Sequence, residues 1–304
     1  MHSLIYRTRV IVKNKSPIFL FCFSRGGSNI FWNIFLSHPD ACSPIFETLE
    51  IFRTGVRNPT WAGYRIAILS GQPRLFDQWK LTQRKSIAIH IQHFIDKTLY
   101  GLKLTTFTNE AMKYKYENEK YSLQEIETAR LVTKNNNGLA FLSDIYLNMY
   151  QDATFFGLVR DPIALYESHL RHKITKSPEA FARYYNCLAG RMLADAARLK
   201  NYHLVKFEDI LANPVSMIQK LYSLAKLDIH QLKKIRFRAK PHFMANGAHD
   251  TKYTAFRHYW FDLENMYDIL EPNINRYQIN RLEANQQKRV AELTEKTRHK
   301  LGYA

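Results

Sequence analysis

Three cysteines in 304 residues, Cys22, Cys42 and Cys187, are too few and too scattered for a disulfide framework, and none stands in a CxxC pair. A thiolate zinc site is excluded on the same spacing. Eleven glycines and ten prolines are few for this length, and no Ser/Gly/Pro-rich linker or repeat interrupts the chain. Acidic residues are the scarcer charge: 27 Asp+Glu stand against 44 Lys+Arg, a formal net charge of +17. Long apolar runs are missing as well. The first fifteen residues are polar and basic, and the apolar stretch at 17–23 is only seven residues long. Neither a signal h-region with its cleavage site nor a membrane span is read from that pattern. The expectation is a soluble, cytoplasmic protein of a reducing compartment with no membrane partner. A hydrophobic fraction of 46%, with 13% aromatic residues, is ample for a core and excludes global disorder.

Short continuous apolar runs alternate along the chain with amphipathic segments, the pattern of strands buried on both faces of a parallel sheet. It predicts strands at 17–23, 130–134, 154–159 and 203–207. A helix is expected at 29–37, and a second where Leu139, Leu142, Ile145 and Met149 recur at helical steps. Asp161-Pro162 reads as N-cap and first-turn proline of a helix to about His172, and Ser177-Pro178 opens another to about Leu199. Asn213-Pro214 caps one more, and a charged helix closes the chain after Arg281. Residues 83–100 are ambiguous: Ile87, Ile89 and Ile91 alternate like a strand, but the length and Gly101 at the end favour a helix. The fold class is α/β, a central parallel sheet flanked by helices in one domain with a helical C-terminal part.

The most informative segment is Phe21-Cys-Phe-Ser-Arg-Gly-Gly-Ser-Asn-Ile30. A buried strand ends, an arginine and two glycines follow, and a helix begins at about Ser28. Glycines allow a tight turn and close backbone approach, and the first N–H groups of the helix point back into the turn. Arg25 adds a cation whose fork suits oxyanions. The segment is a candidate phosphate or sulfate cradle made by Arg25, Gly26, Gly27, Ser28 and Asn29. A GxxxxGK[ST] string is absent, which counts against an ATP- or GTP-dependent kinase. The run 154–169 repeats the strand-then-helix arrangement, delivering Arg160 to a strand end and Ser168 eight residues later. Open parallel sheets bind ligands beyond the carboxyl ends of their strands, so Arg160 and the Arg25 loop can share one cleft.

Together these two segments resemble the sulfotransferases that use 3′-phosphoadenosine 5′-phosphosulfate (PAPS), in the carbohydrate, tyrosylprotein and bacterial branch. The Ser24-Arg-Gly-Gly-Ser-Asn loop and the helix ending at His38-Pro39-Asp40 are similar to the family's 5′-phosphosulfate segment. Arg160-Asp161-Pro162 with Ser168 is similar to its 3′-phosphate segment. His203-Leu-Val-Lys-Phe-Glu-Asp-Ile-Leu-Ala-Asn-Pro214 and Lys134-Asn-Asn-Asn137 resemble two further landmarks. Gly26 and Asn29 depart from the family's usual Ser and Thr. The family's basic C-terminal loop over the adenine is not recognisable; the stretch 236–249 is its candidate substitute.

The resemblance implies a P-loop-like sulfotransferase fold, with a PAPS-binding core at about 17–226 and a closing part at about 227–304. It implies PAPS as sulfuryl donor, adenosine 3′,5′-bisphosphate as product, a small acceptor with a hydroxyl or amine, and no metal. Arg25 and the Gly26–Asn29 amides would hold the phosphosulfate, Arg160 and Ser168 the 3′-phosphate, and Lys134 would stand near the departing oxygen. Glu47 is the candidate general base, with Glu50, His90 and His93 as alternatives. Two readings compete: a non-catalytic nucleotide-binding relative of the same fold, and a nucleic-acid-binding protein, since 229–258 carries seven Lys+Arg and four His interleaved with aromatics. No recognition motif accompanies that stretch, and no nucleic-acid partner is expected.

Overall fold

The first strand is apolar at every position and wholly buried, which puts it in the middle of the sheet. The computed structural model describes residues 16–45, 47–48, 89–110, 112–238 and 257–303. β1 (Ile18–Cys22) leads through a four-residue turn to α1 (Ser28–Leu36), and β2 (Ala41–Cys42) is a short edge strand. α2 (Ile89–Leu104), the antiparallel pair β3 (Tyr114–Tyr116) and β4 (Glu119–Lys120), and α3 (Leu123–Thr128) precede β5 (Arg130–Asn136). Then come α4 (Ser143–Met149), β6 (Thr154–Val159), α5 (Pro162–Arg171), α6 (Pro178–Arg198) and β7 (Tyr202–Lys206). α7 (Phe207–Ala212), α8 (Pro214–Ala225) and the hairpin of β8 (Ile235–Arg238) and β9 (His258–Phe261) follow. α9 (Met266–Ile269), α10 (Ile274–Ile279) and α11 (Ala284–Leu301) end the chain.

Five strands pair in parallel in the order β2-β5-β1-β6-β7. The order reverses at β1, so the crevices on either side of its carboxyl end are the natural ligand position of this sheet. Alternation along β1 feeds two cores. Ile18, Leu20 and Cys22 face one, with Phe31, Phe35, Phe156 and Tyr222. Phe19 and Phe21 face the other, with Tyr146, Phe155, Tyr185 and Met192. Phe19 stacks on Tyr146 at 4.2 Å and on Phe155 at 5.4 Å, an offset arrangement that adds to the area it buries.

The caps at α5 and α6 form as the sequence predicts. Asp161 accepts from the Ile163 and Ala164 N–H groups, and Ser177 from Ala180, each with a proline in the first turn. Three expectations need correction. Asn213 precedes α8 but makes no side-chain cap hydrogen bond. α2 runs through Gly101 to Leu104, because its last turn is held from outside: Lys103 Nζ donates to the Ala129 carbonyl at 2.7 Å. The strand expected at 130–134 extends to Asn136. Its polar end pairs with β1 in register, Phe21 opposite Asn135 and Cys22 opposite Asn136, so backbone pairing overrides side-chain polarity. Phe19→Ala empties the centre of one core and is expected to destabilise the fold by about 3–5 kcal/mol in urea titration.

Candidate active site

The turn after β1 is built around two residues with positive φ, Arg25 at 65° and Gly27 at 89°. A Cβ on Gly27 would also lie 2.2 Å from the Phe207 ring, so both backbone and packing demand glycine there. The turn is stitched to its surroundings at three points. Ser24 exchanges two hydrogen bonds with Asn137: its N–H donates to Oδ1 at 2.9 Å, and its Oγ accepts from Nδ2 at 2.8 Å. The Ser24 carbonyl accepts from His169 Nε2 at 2.8 Å. The Arg25 carbonyl accepts from Arg160 Nη1 at 3.0 Å. Among the described residues, no N-cap side chain bonds to the start of α1 and no acidic residue stands in its first turn, a helix start of the kind that suits an anion.

Arg25 in this turn is joined by four cationic or imidazole side chains, His172, Arg171, His169 and Arg160. The exposed Arg25 guanidinium lies 2.5 Å from His172 Nε2; a guanidinium only donates, so the ring accepts there. Desolvation and the Arg171 cation both lower the Arg25 pKa, with Glu167 opposing them. His169 is buried, and that burial, with Arg25, His172 and Arg160 nearby, pushes its pKa down to about 4. The ring is therefore neutral at pH 7 and donates from Nε2 to Ser24. Ser168, beside it on α5, is buried at 2% exposure.

Arg160 leaves the end of β6 and is 4% exposed. Its Nε and Nη2 both donate to Asn275 Oδ1, at 2.8 and 2.6 Å, Nη2 also donates to Gln278 Oε1, and the guanidinium lies 4.9 Å from the Phe207 ring centre. Burial lowers its pKa to about 10, with Glu208 first among the carboxylates opposing the shift, so it is charged at pH 7. Among the described residues, α10 lies on Arg160 through Asn275 and Gln278. Of the substitute loop expected at 236–249, Arg236 is buried in β8 and donates to the Tyr114 carbonyl, and 239–249 lies outside the described residues.

On the other side of β1, Lys134 Nζ donates to Glu47 Oε1 and to Asn29 Oδ1, each at 2.6 Å. The ammonium lies 5.3 Å from the Trp32 ring centre. Asn136 Nδ2 holds the second carboxylate oxygen at 2.5 Å. Lys134 is 1% exposed and Glu47 29%, so the cation is enclosed while the carboxylate reaches the cleft. Register explains the meeting: Lys134 pairs with Leu20 in β1, and the chain after β1 turns Asn29 toward it. The structure thereby joins Asn29, Lys134 and Glu47, which are far apart in sequence. His93 is exposed on α2, and Glu50 and the His90 side chain lie outside the described residues.

Several contributors escape a reading by motif. Asn136 and Asn137 were visible as an Asn-rich run after Lys134, yet nothing local gave them roles. His169 is hidden as one helix residue among ten, and Asn275 and Glu208 act only through tertiary contact. The His169 shift makes a testable pH dependence. Its folded pKa lies below the unfolded value near 6.5, so the unfolded chain binds the extra proton between pH 6.5 and 4. Stability is expected to fall by about 3 kcal/mol as pH drops through that window. His169→Gln, which keeps the donor to Ser24, should flatten this part of the pH–stability profile; an unchanged profile contradicts the assignment.

Comparison with known proteins adds the following. A family model described as "Sulfotransferase family" matches residues 17–231. No curated protein matches the chain in sequence. Among solved structures, the sulfotransferase domain from the curacin biosynthetic pathway is 14% identical, covering 95% of this chain and 98% of that one at a TM-score of 0.48. The sulfotransferase domain from the Synechococcus PCC 7002 olefin synthase is 15% identical, covering 93% and 96% at 0.47. A retinol dehydratase in complex with androsterone and the inactive cofactor PAP is 11% identical, covering 95% and 80% at 0.36. With the family model spanning well over half of its length, the chain belongs to the sulfotransferase family.

Proposed function

We propose that this protein transfers the sulfuryl group of PAPS to a hydroxyl or amine of a small-molecule acceptor. The observation that carries the reading is the meeting of Lys134, Glu47 and Asn29 beside an uncapped helix start. When bound, PAPS supplies an activated sulfuryl group whose transfer is an in-line displacement, close in its demands to phosphoryl transfer. The protein's part is alignment and charge. The turn at Arg25, Gly26, Gly27 and Ser28 offers backbone N–H groups and a guanidinium to the 5′ anion. Arg160 and Ser168, at the end of β6 and on α5, serve the 3′-phosphate.

Lys134 contributes a full positive charge in an enclosed position, where the charge growing on a departing oxygen is stabilised most. Asn29 orients that ammonium by accepting one of its protons. Glu47 takes the acceptor's proton, its two oxygens fixed by Lys134 and Asn136 and its carboxylate open to the cleft. The chain works as one unit in this reading, a donor-binding core at 17–226 with a closing part at 227–304. The packing of α10 on α5, and of α11 on α5 and α6, supports it.

Two measurements test the proposal. Adenosine 3′,5′-bisphosphate should raise the melting temperature of the wild type and raise it less in Arg160→Ala; no shift in wild type, or equal shifts in both, would sink the donor site. Labelled PAPS offered with a panel of hydroxyl and amine metabolites should then give a sulfated product. Glu47→Gln is expected to lower that turnover about 10²–10⁴-fold while bisphosphate binding persists. Turnover unaffected by the substitution would remove Glu47 from the role of base.

A further inference from the structure

Arg160 is tied to the C-terminal end of the chain through a continuous run of side chains. Tyr303 donates its hydroxyl proton to Glu208 Oε2 at 2.8 Å. Glu208 Oε1 accepts from Asn275 Nδ2 at 2.5 Å and from the Asp161 N–H at 2.9 Å. Asn275 Oδ1 then accepts twice from Arg160, and Arg160 donates to the Arg25 carbonyl in the turn after β1. A guanidinium has five N–H groups. Nε, both protons of Nη2 and one of Nη1 are spent on Asn275, Gln278 and Arg25, leaving one Nη1 proton uncommitted among the described residues.

The middle of this run is a neutral amide between a carboxylate and a guanidinium. Only a side chain with a donor on one side and an acceptor on the other satisfies both neighbours. An aspartate there would meet Glu208 with like charge, and an alanine would leave Glu208 Oε1 with only the Asp161 N–H and take from Arg160 Nε its acceptor and from Nη2 one of its two. Without the amide the shortest route to satisfaction is a direct Glu208–Arg160 pair, which would turn the fork away from Arg25 and offset its charge. The Phe207 ring beneath the guanidinium and the Tyr185 hydroxyl on the Arg160 carbonyl hold the base of the side chain in place.

We propose that Asn275 is a positioning residue for the donor: it holds Arg160 against the Arg25 carbonyl and keeps the Glu208 carboxylate from pairing with it. The charge of Arg160 is then left for an anion, and the left-handed residue at the apex of the turn is pinned from outside. This rests on the donor reading given above. It makes α10 the element through which the closing part of the chain bears directly on the Arg160 guanidinium.

The test uses the full chain and adenosine 3′,5′-bisphosphate by isothermal titration. Asn275→Ala is expected to weaken binding about tenfold, the equivalent of one hydrogen bond to a charged group. Adding Glu208→Gln to that variant removes the competing carboxylate charge and should restore affinity to within about threefold of wild type. A merely structural role predicts a lower melting temperature and no such rescue. Wild-type affinity in Asn275→Ala, or no recovery in the double variant, overturns the proposal. Should the wild type itself fail to bind, the donor reading is what falls, and a ligand-free measurement still decides the insulation. In urea titration, a double-mutant cycle of Glu208→Gln with Arg160→Gln should show a larger coupling in the Asn275→Ala background than with Asn275 present; equal couplings overturn it.

Discussion

Arg25 holds a backbone conformation, φ 65°, that a residue with a side chain adopts at a cost of about 1–2 kcal/mol, and the contacts that hold it there organise the rest of the site. Its carbonyl is drawn toward Arg160, the neighbouring Ser24 is clamped by Asn137 and His169, and Gly27 presses against Phe207. Three of these partners stand just beyond the carboxyl ends of different strands, Asn137 after β5, Arg160 after β6 and Phe207 after β7, while His169 reaches in from α5. The turn therefore takes its shape only when those strands stand in parallel around β1. In this way the sheet order becomes a statement about ligand chemistry, because the same strand ends that close the turn also bring in Lys134 and Asn136.

Two kinds of electrostatic design meet at this sheet edge. On the β5 side, opposite charges touch: Lys134 and Glu47 form a short, partly enclosed pair, and removing either partner leaves the other short of compensation. On the β6 side, opposite charges are kept apart, with an amide between Glu208 and Arg160. A group that must exchange a proton with an acceptor needs an oriented carboxylate. A group that must hold a polyanion needs a cation whose charge is not already answered. In the proposed reading few of the 44 Lys and Arg residues are engaged in either task, so the net charge of +17 says little about the site. Position and partner, not the surplus, give these cations their value.

The reach of the sequence can be judged residue by residue. The strand at 154–159 and the helices opened by Asp161-Pro162 and Ser177-Pro178 were legible because their signals are local: a continuous apolar run, a capping oxygen, a first-turn proline. The last two residues of β5 were not legible, since Asn135 and Asn136 are polar and their burial comes from pairing with β1. The run past Gly101 in α2 was hidden for a similar reason, a lysine reaching from the helix to a carbonyl more than twenty residues away.

The candidate site divides along the same line. Sequence alone determined that this chain makes buried parallel strands, that a glycine turn and a helix start follow the first of them, and that Arg160 and Ser168 follow another. Those features depend on residue type and short spacing. Tertiary structure alone decided that Lys134 meets Asn29 and Glu47, that Asn275 of α10 lies on Arg160, and that Tyr303 reaches Glu208. These contacts join residues that spacing does not relate. They exist because strand order and register bring distant segments to one edge of the sheet, where burial makes each polar group find a partner.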